Sequence, residues 1–107
     1  MKHIAALLLT FTSLHVFADE PAIFRIGIEN NRFVPAEIQV PAAQKIKLVI
    51  ENRDNTSEEF ESHALNREKV IPAKSSVSIF IGPLKPGSYP FVGEFHESTA
   101  KGIIIAK

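Results

Sequence analysis

Two short segments carry residues whose types and spacing could hold a metal ion. Glu59, Glu61 and His63 recur at every second position. On an extended strand that spacing aims all three side chains to one face and sends Phe60, Ser62 and Ala64 to the other. Glu94 and His96 repeat the interval further along, with Glu97 beside them. An extended backbone there aims Glu94 and His96 the same way while Phe95 anchors into the core. Imidazole and carboxylate without sulfur suit Cu(II), Fe(II)/Fe(III) or Zn(II) rather than Cu(I). Imidazole coordinates in its neutral form, so such binding weakens as pH falls through the histidine range. A plainer reading stays open. Glu59 and Glu61 can be the solvated face of an edge strand, where charge also discourages edge-to-edge pairing, and Glu58 beside them fits general acidity. His96 can be a surface histidine. Ser62 next to His63 does not make a hydrolytic pair, because neighbouring strand side chains point to opposite faces.

The elements that must position these residues are strands. Ala22–Glu29 is rich in β-formers, Asn30-Asn31 turns the chain, and Phe33-Val34-Pro35 reads as an irregular connection. Glu37–Val40 alternates until Pro41 ends it, since proline cannot donate to a ladder. Lys45–Glu51 is the clearest strand, with Ile46, Leu48 and Ile50 on one face and Lys45, Lys47 and Glu51 on the other. A polar, turn-rich stretch from Asn52 to Ser57 precedes the first acidic segment, and Val70-Ile71 is a brief strand ended by Pro72. Val77, Ile79 and Ile81 point inward from Ser76–Ile81; Gly82-Pro83 and Lys85-Pro86-Gly87 are turns. Ser88–Phe95 carries Tyr89, Phe91 and Phe95 to one side. Gly102 opens a final run, Ile103-Ile104-Ile105, apolar on both faces and therefore central. Seven to eight strands and no convincing helix give an all-β sandwich.

The first eighteen residues read as a secretory signal. Lys2 supplies the positive start, Ile4–Leu9 opens an apolar stretch that runs to Phe17, and Val16 and Ala18 form a small-residue cleavage site. A membrane anchor needs about 20 apolar residues, and this run is interrupted by Thr10, Thr12, Ser13 and His15. Residues 19–107 then form one domain outside the cytoplasm. Of the four histidines, His3 and His15 fall in the signal, which leaves His63 and His96. The chain has no cysteine, and its single methionine is Met1. Twelve basic and twelve acidic residues balance, and loss of Lys2 changes that by one charge. Neither nucleic acid nor an anionic membrane has an electrostatic claim on such a chain.

Several segments together resemble the cupredoxin family. Phe33-Val34-Pro35-Ala36-Glu37-Ile38-Gln39-Val40-Pro41-Ala42 is similar to its F-x-P-x-x-I-x-V-P-A segment, and Lys45–Asn52 to the strand that leads towards the first metal ligand. Lys85–Phe91 is similar to the L-x-P-G-x-Y-x-F strand that feeds the metal-binding loop, and His96 and Gly102 fall where that loop has its second histidine and closing glycine. The resemblance implies a Greek-key β-sandwich of seven to eight strands. It also marks two departures: Gly93 stands at the cysteine position and Lys101 at the methionine position, so a blue copper carrier is excluded. Glu59–Ser62, Leu65, Glu68-Lys69-Val70 and Gly93–His96 resemble the cupredoxin-like periplasmic components of bacterial high-affinity iron uptake systems. That likeness implies a non-blue copper and/or iron site, with Glu59, Glu61, His63, Glu94 and His96 as candidate ligands. It further implies iron delivery to an inner-membrane permease, or copper-dependent oxidation of Fe(II), alongside other periplasmic components. A metal-free sandwich serving as an interaction module of a membrane transport complex is the competing expectation.

Overall fold

The computed structural model describes Ala5, Ala6 and residues 20–107. Apart from Ala5 and Ala6, the expected export signal lies outside the described residues. From Ala22 onward the chain forms nine strands: β1 (Ala22–Glu29), β2 (Arg32–Val34), β3 (Glu37–Val40), β4 (Ile46–Asn52), β5 (Glu58–Ser62), β6 (Arg67–Ile71), β7 (Ser76–Ile81), β8 (Gly87–Gly93) and β9 (Lys101–Ala106). One sheet has four strands in the order β2-β1-β4-β7 and the other five in the order β3-β9-β8-β5-β6. Both are mixed: β1 runs parallel to β4 and β3 parallel to β9, while the other neighbours are antiparallel. Among the described residues no helix is long and apolar enough to cross a membrane.

Alternation along the strands fills the space between the sheets. Ile46, Leu48 and Ile50 of β4 are fully buried, against Ile26 and Ile28 of β1 and Ile79 and Ile81 of β7. The five-stranded sheet contributes Phe60, Phe91 and Ile104 from its three inner strands. Phe91 stacks on Phe60 with ring centroids 4.9 Å apart and meets Phe33 edge-on at 4.8 Å. This aromatic cluster links the two sheets through β2, β5 and β8, the geometry aromatic quadrupoles favour. The last strand lies between β3 and β8, the central place its two-sided apolar run requires.

Two expectations change. Phe33-Val34 is not irregular: β2 pairs antiparallel with β1, Ile28 opposite Phe33, across a tight turn. Asn30 and Asn31 take φ of 51° and 57° there, the left-handed pair that suits a two-residue hairpin. The sandwich therefore has nine strands rather than seven or eight. The second change concerns Glu94–His96, which winds into a single 3-10 turn after β8 instead of continuing it. Phe95 consequently does not anchor in the core; it is 51% exposed.

Candidate metal centre

Strand β5 separates its acidic residues by face. Phe60 is a core residue, so the positions two away share its side: Glu58, Phe60 and Ser62 are buried, and Glu59 and Glu61 lie half-buried on the outer face. The segment leading into β5 is held by Asn52. Its buried amide donates to the carbonyls of Thr56 (2.8 Å) and Ile71 (3.0 Å), and its oxygen accepts the Asp54 N–H at 3.0 Å. Asp54 in turn accepts both N–H groups of the β1–β2 turn, Asn30 at 2.8 Å and Asn31 at 2.9 Å. At the other end of β5, Ser62 Oγ donates to the Pro90 carbonyl at 2.7 Å and accepts the Leu65 N–H at 3.2 Å. Its hydroxyl ties the chain to β8 and has no histidine partner.

On the outer face four carboxylates meet. Glu61 sits opposite Glu68 in the β5–β6 ladder, and Glu94 reaches the same face from the 3-10 turn. One carboxylate oxygen from each of Glu59, Glu68 and Glu94 lies within 4.8 Å of the other two. Partial burial first, then the hydrogen bond and charge of Glu94, then Glu68 and Glu61, hold the Glu59 carboxyl above the ordinary range. Burial and the Glu94 carboxylate raise Glu61 likewise, with His63 pulling the other way. Without a cation, hydrogen bonds between such groups require a shared proton. His63 lies past the end of β5, its side chain 96% exposed and its Nε2 3.4 Å from Glu61 Oε1, a solvent-screened contact of little energetic weight. Glu61, Ser62, His63, Asn66, Arg67 and Glu68 line an open cleft of about 330 Å³ next to the cluster.

The inner face holds a second arrangement. His96 Nδ1 lies 2.6 Å from Oε2 of Glu58, whose side chain is 1% exposed. Glu58 Oε1 accepts the backbone N–H of Glu59 and of Phe95, each at 2.9 Å. The 3-10 turn is therefore drawn onto a carboxylate far away in sequence. Gly93 makes room for it. A Cβ at position 93 would stand 2.6 Å from Glu58 Cδ and 2.6 Å from the Ala100 Cβ.

The candidate ligands thus divide. Glu94 joins Glu59 and lies beside Glu61, as same-face carboxylates, whereas His96 turns to Glu58. Because the backbone is a 3-10 turn, the expected common direction of Glu94 and His96 is not kept, and the two histidines have separate carboxylate partners. Two residues outside the candidate set are part of the geometry. Glu68 enters by cross-strand pairing, which a single strand's pattern does not contain. Glu58 shares the inner face with Phe60, and that alternation was legible in the sequence.

A thiolate copper centre does not fit this chain. No cysteine is present, and the space beside position 93 is filled by the Glu58 carboxylate. The outer set is of another kind: three to four carboxylate oxygens clustered at a surface are the donor type that hard and borderline cations take. Positive charge there would replace the shared proton and relieve the repulsion.

Comparison with known proteins agrees with the architecture. An uncharacterized protein of Rickettsia prowazekii is 49% identical over 81 residues, 76% of this chain, and the match spans 65% of that relative's length. Auracyanin A, a "blue" copper protein from Chloroflexus aurantiacus, superposes with a TM-score of 0.70 at 14% identity, covering 82% of this chain and all of that one. The metal-binding domain of the Streptococcus pneumoniae Cu(I)-exporting P-type ATPase CopA, solved with Cu(I), gives 0.70 at 17% identity, covering 79% and 84%. Amicyanin from Paracoccus versutus gives 0.61 at 17%, covering 87% and 86%. At such identities these structures share the fold. Residues 2–106 match the Cupredoxin-like domain family, and the chain belongs to that family, without the sulfur ligand of a blue copper site.

Proposed function

We propose that this chain is an exported, periplasmic metal-binding protein that serves iron uptake. Iron would be held on the outer face by Glu59, Glu68 and Glu94, with Glu61 and His63 beside them, and copper by the imidazole of His96. The observation that carries this reading is the convergence of three carboxylates from β5, β6 and the 3-10 turn within 4.8 Å; partial burial, then the Glu94 hydrogen bond and charge, raises the proton affinity of Glu59 there. A carboxylate-rich site favours Fe(III) over Fe(II), the direction needed either to hold iron for an inner-membrane permease or to oxidise Fe(II) with dioxygen as electron acceptor. Structural neighbours described as copper proteins support copper as the second metal, and the signal-like residues 1–18 support the compartment.

Calorimetric titration with Fe(II) and with Cu(II), together with oxygen uptake, tests the proposal. We expect binding of each ion at neutral pH and loss of iron binding in Glu59→Gln/Glu94→Gln. Absence of binding by the unaltered protein refutes the function.

One observation favours the interaction-module reading. Ile23, Val34 and Phe80 are exposed on the outer face of the four-stranded sheet, where Ile23 pairs with Lys47 and Lys47 with Phe80. A pure interaction module retains partner binding and transport when His63, His96, Glu59 and Glu94 are all neutralised; a metal carrier does not.

A further inference from the structure

The even balance of charge over the whole chain, which gives an anionic surface no claim on it, is not kept face by face. Alternation sends Ile23 and Arg25 of β1, Lys47 and Val49 of β4, and Ser78 and Phe80 of β7 to the outer side of the four-stranded sheet. Pairing lines them up in two rows, Ile23-Lys47-Phe80 and Arg25-Val49-Ser78. Ile23 is 55% and Phe80 58% exposed, so a half-buried lysine stands between two large apolar side chains that face water. Lys45 is exposed just ahead of β4, and at the sheet edge Arg67 Nε donates to the Phe80 carbonyl at 3.1 Å. Among the described residues, none of Arg25, Lys45, Lys47 and Arg67 has an ion-pair partner. Glu29 and Glu51, the glutamates of this face, are taken up by Arg53 at 2.7 and 3.3 Å. Uncompensated positive charge thus coincides with exposed apolar surface, while Glu59, Glu61, Glu68 and Glu94 gather on the other side of the sandwich.

We infer that this face docks on an anionic lipid bilayer: Ile23 and Phe80 enter the headgroup region, and Arg25, Lys45, Lys47 and Arg67 meet lipid phosphates. Affinity for such an interface grows with the apolar area buried and with attraction to anionic lipid. Lys47 suits it, since a lysine stem lies along apolar neighbours while its ammonium reaches outward. Size favours lipid over a protein partner. At strand spacings of about 4.8 Å and rises of about 3.4 Å per residue, two rows on three strands cover roughly 200 Å². A stable protein interface takes about 800 Å² from each side. A bilayer sets no such threshold, because each basic residue near it contributes on its own. Docked in this way, the chain turns its carboxylates away from the lipid and towards solution. The inference goes beyond the metal reading and does not depend on it.

The chain has no tryptophan, so Phe80→Trp installs one reporter on this face. Val70→Trp, at a 46% exposed site that pairs with Glu59, installs one on the other. Each is titrated with vesicles of phosphatidylglycerol and phosphatidylethanolamine, and with phosphatidylcholine vesicles. We expect the Phe80→Trp emission to move to the blue, and to be quenched by acyl-brominated lipid, with the phosphatidylglycerol vesicles alone. Val70→Trp should keep the emission of a water-exposed indole throughout, whatever lipid affinity residues 1–18 have. Adding Arg25→Gln and Lys47→Gln to Phe80→Trp should weaken vesicle binding about 25-fold, about fivefold per charge removed. Salt at about 0.5 M should abolish the shift by screening. If Phe80→Trp does not fold, Ile23→Trp is the reporter. No shift on phosphatidylglycerol overturns the inference. An equal shift at positions 70 and 80, or an equal shift on phosphatidylcholine, overturns it as well, because neither depends on the charge of this face. A blue shift without vesicles that grows with protein concentration assigns the face to a second copy of the chain and overturns the lipid.

Discussion

Glu59 and Glu61 hold their protons more tightly in the folded chain than carboxyls ordinarily do, because burial and the Glu94 charge disfavour ionisation. A raised carboxyl pKa in the folded state costs stability once pH rises above that value, and the cost vanishes as pH falls through it. In the absence of metal, Glu94→Gln should therefore raise the melting temperature at neutral pH by a few degrees. That gain should shrink to nothing in melts taken below the carboxylate range. Gly93 behaves in the opposite sense: Gly93→Ala forces a methyl group against Glu58 and Ala100 and should cost about 1–3 kcal/mol in urea denaturation, the usual penalty for overpacking. At this scale the sequence was readable on the outer face, where strand spacing places Glu59 and Glu61 together. Alternation with Phe60 also puts Glu58 inside, although the sequence reading took it only as general acidity. Its partner was not readable, because His96 reaches Glu58 only through a turn whose shape depends on long-range contacts.

Those contacts belong to the elements. The Glu94–His96 turn is closed by the Thr99 and Ala100 N–H groups donating to the His96 carbonyl at 3.1 and 2.8 Å, and by the Phe95 N–H donating to Glu58. Local pattern favours an extended Gly93-Glu94-Phe95-His96, with an aromatic residue at an inward position; the buried carboxylate overrides it and Phe95 turns to solvent. The segment between β4 and β5 depends on Asn52 in a comparable way. Asn52→Ala leaves the Ile71 and Thr56 carbonyls and the Asp54 N–H without their partner, and should cost about 1–3 kcal/mol per buried group left unsatisfied, read by chemical denaturation. Strand β4 shows why other elements were legible: its strict alternation of Ile46, Leu48 and Ile50 with Lys47, Val49 and Glu51 admits one register between two sheets. β2 was not, since three residues carry too little pattern and only pairing with β1 makes them a strand.

At the scale of the molecule, the sandwich brings β5, β6 and the turn after β8 to one place, although Glu59 and Glu94 are far apart in sequence. The Glu58–His96 contact closes the inner position, and the carboxylates gather on the outer face. Binding to the folded state alone stabilises by mass action, about 2.7 kcal/mol when free cation is at 100 times its dissociation constant. Iron should accordingly raise the melting temperature of the unaltered protein and leave that of Glu59→Gln/Glu94→Gln unmoved. The most direct measurement is an anomalous-difference map from crystals grown with iron. The account predicts a peak on the outer face at about 2.0–2.2 Å from carboxylate oxygens of Glu59, Glu68 and Glu94, with the Glu58–His96 contact intact. A peak between Glu58 and Gly93 that displaces that contact, or no peak at the carboxylates, would contradict it.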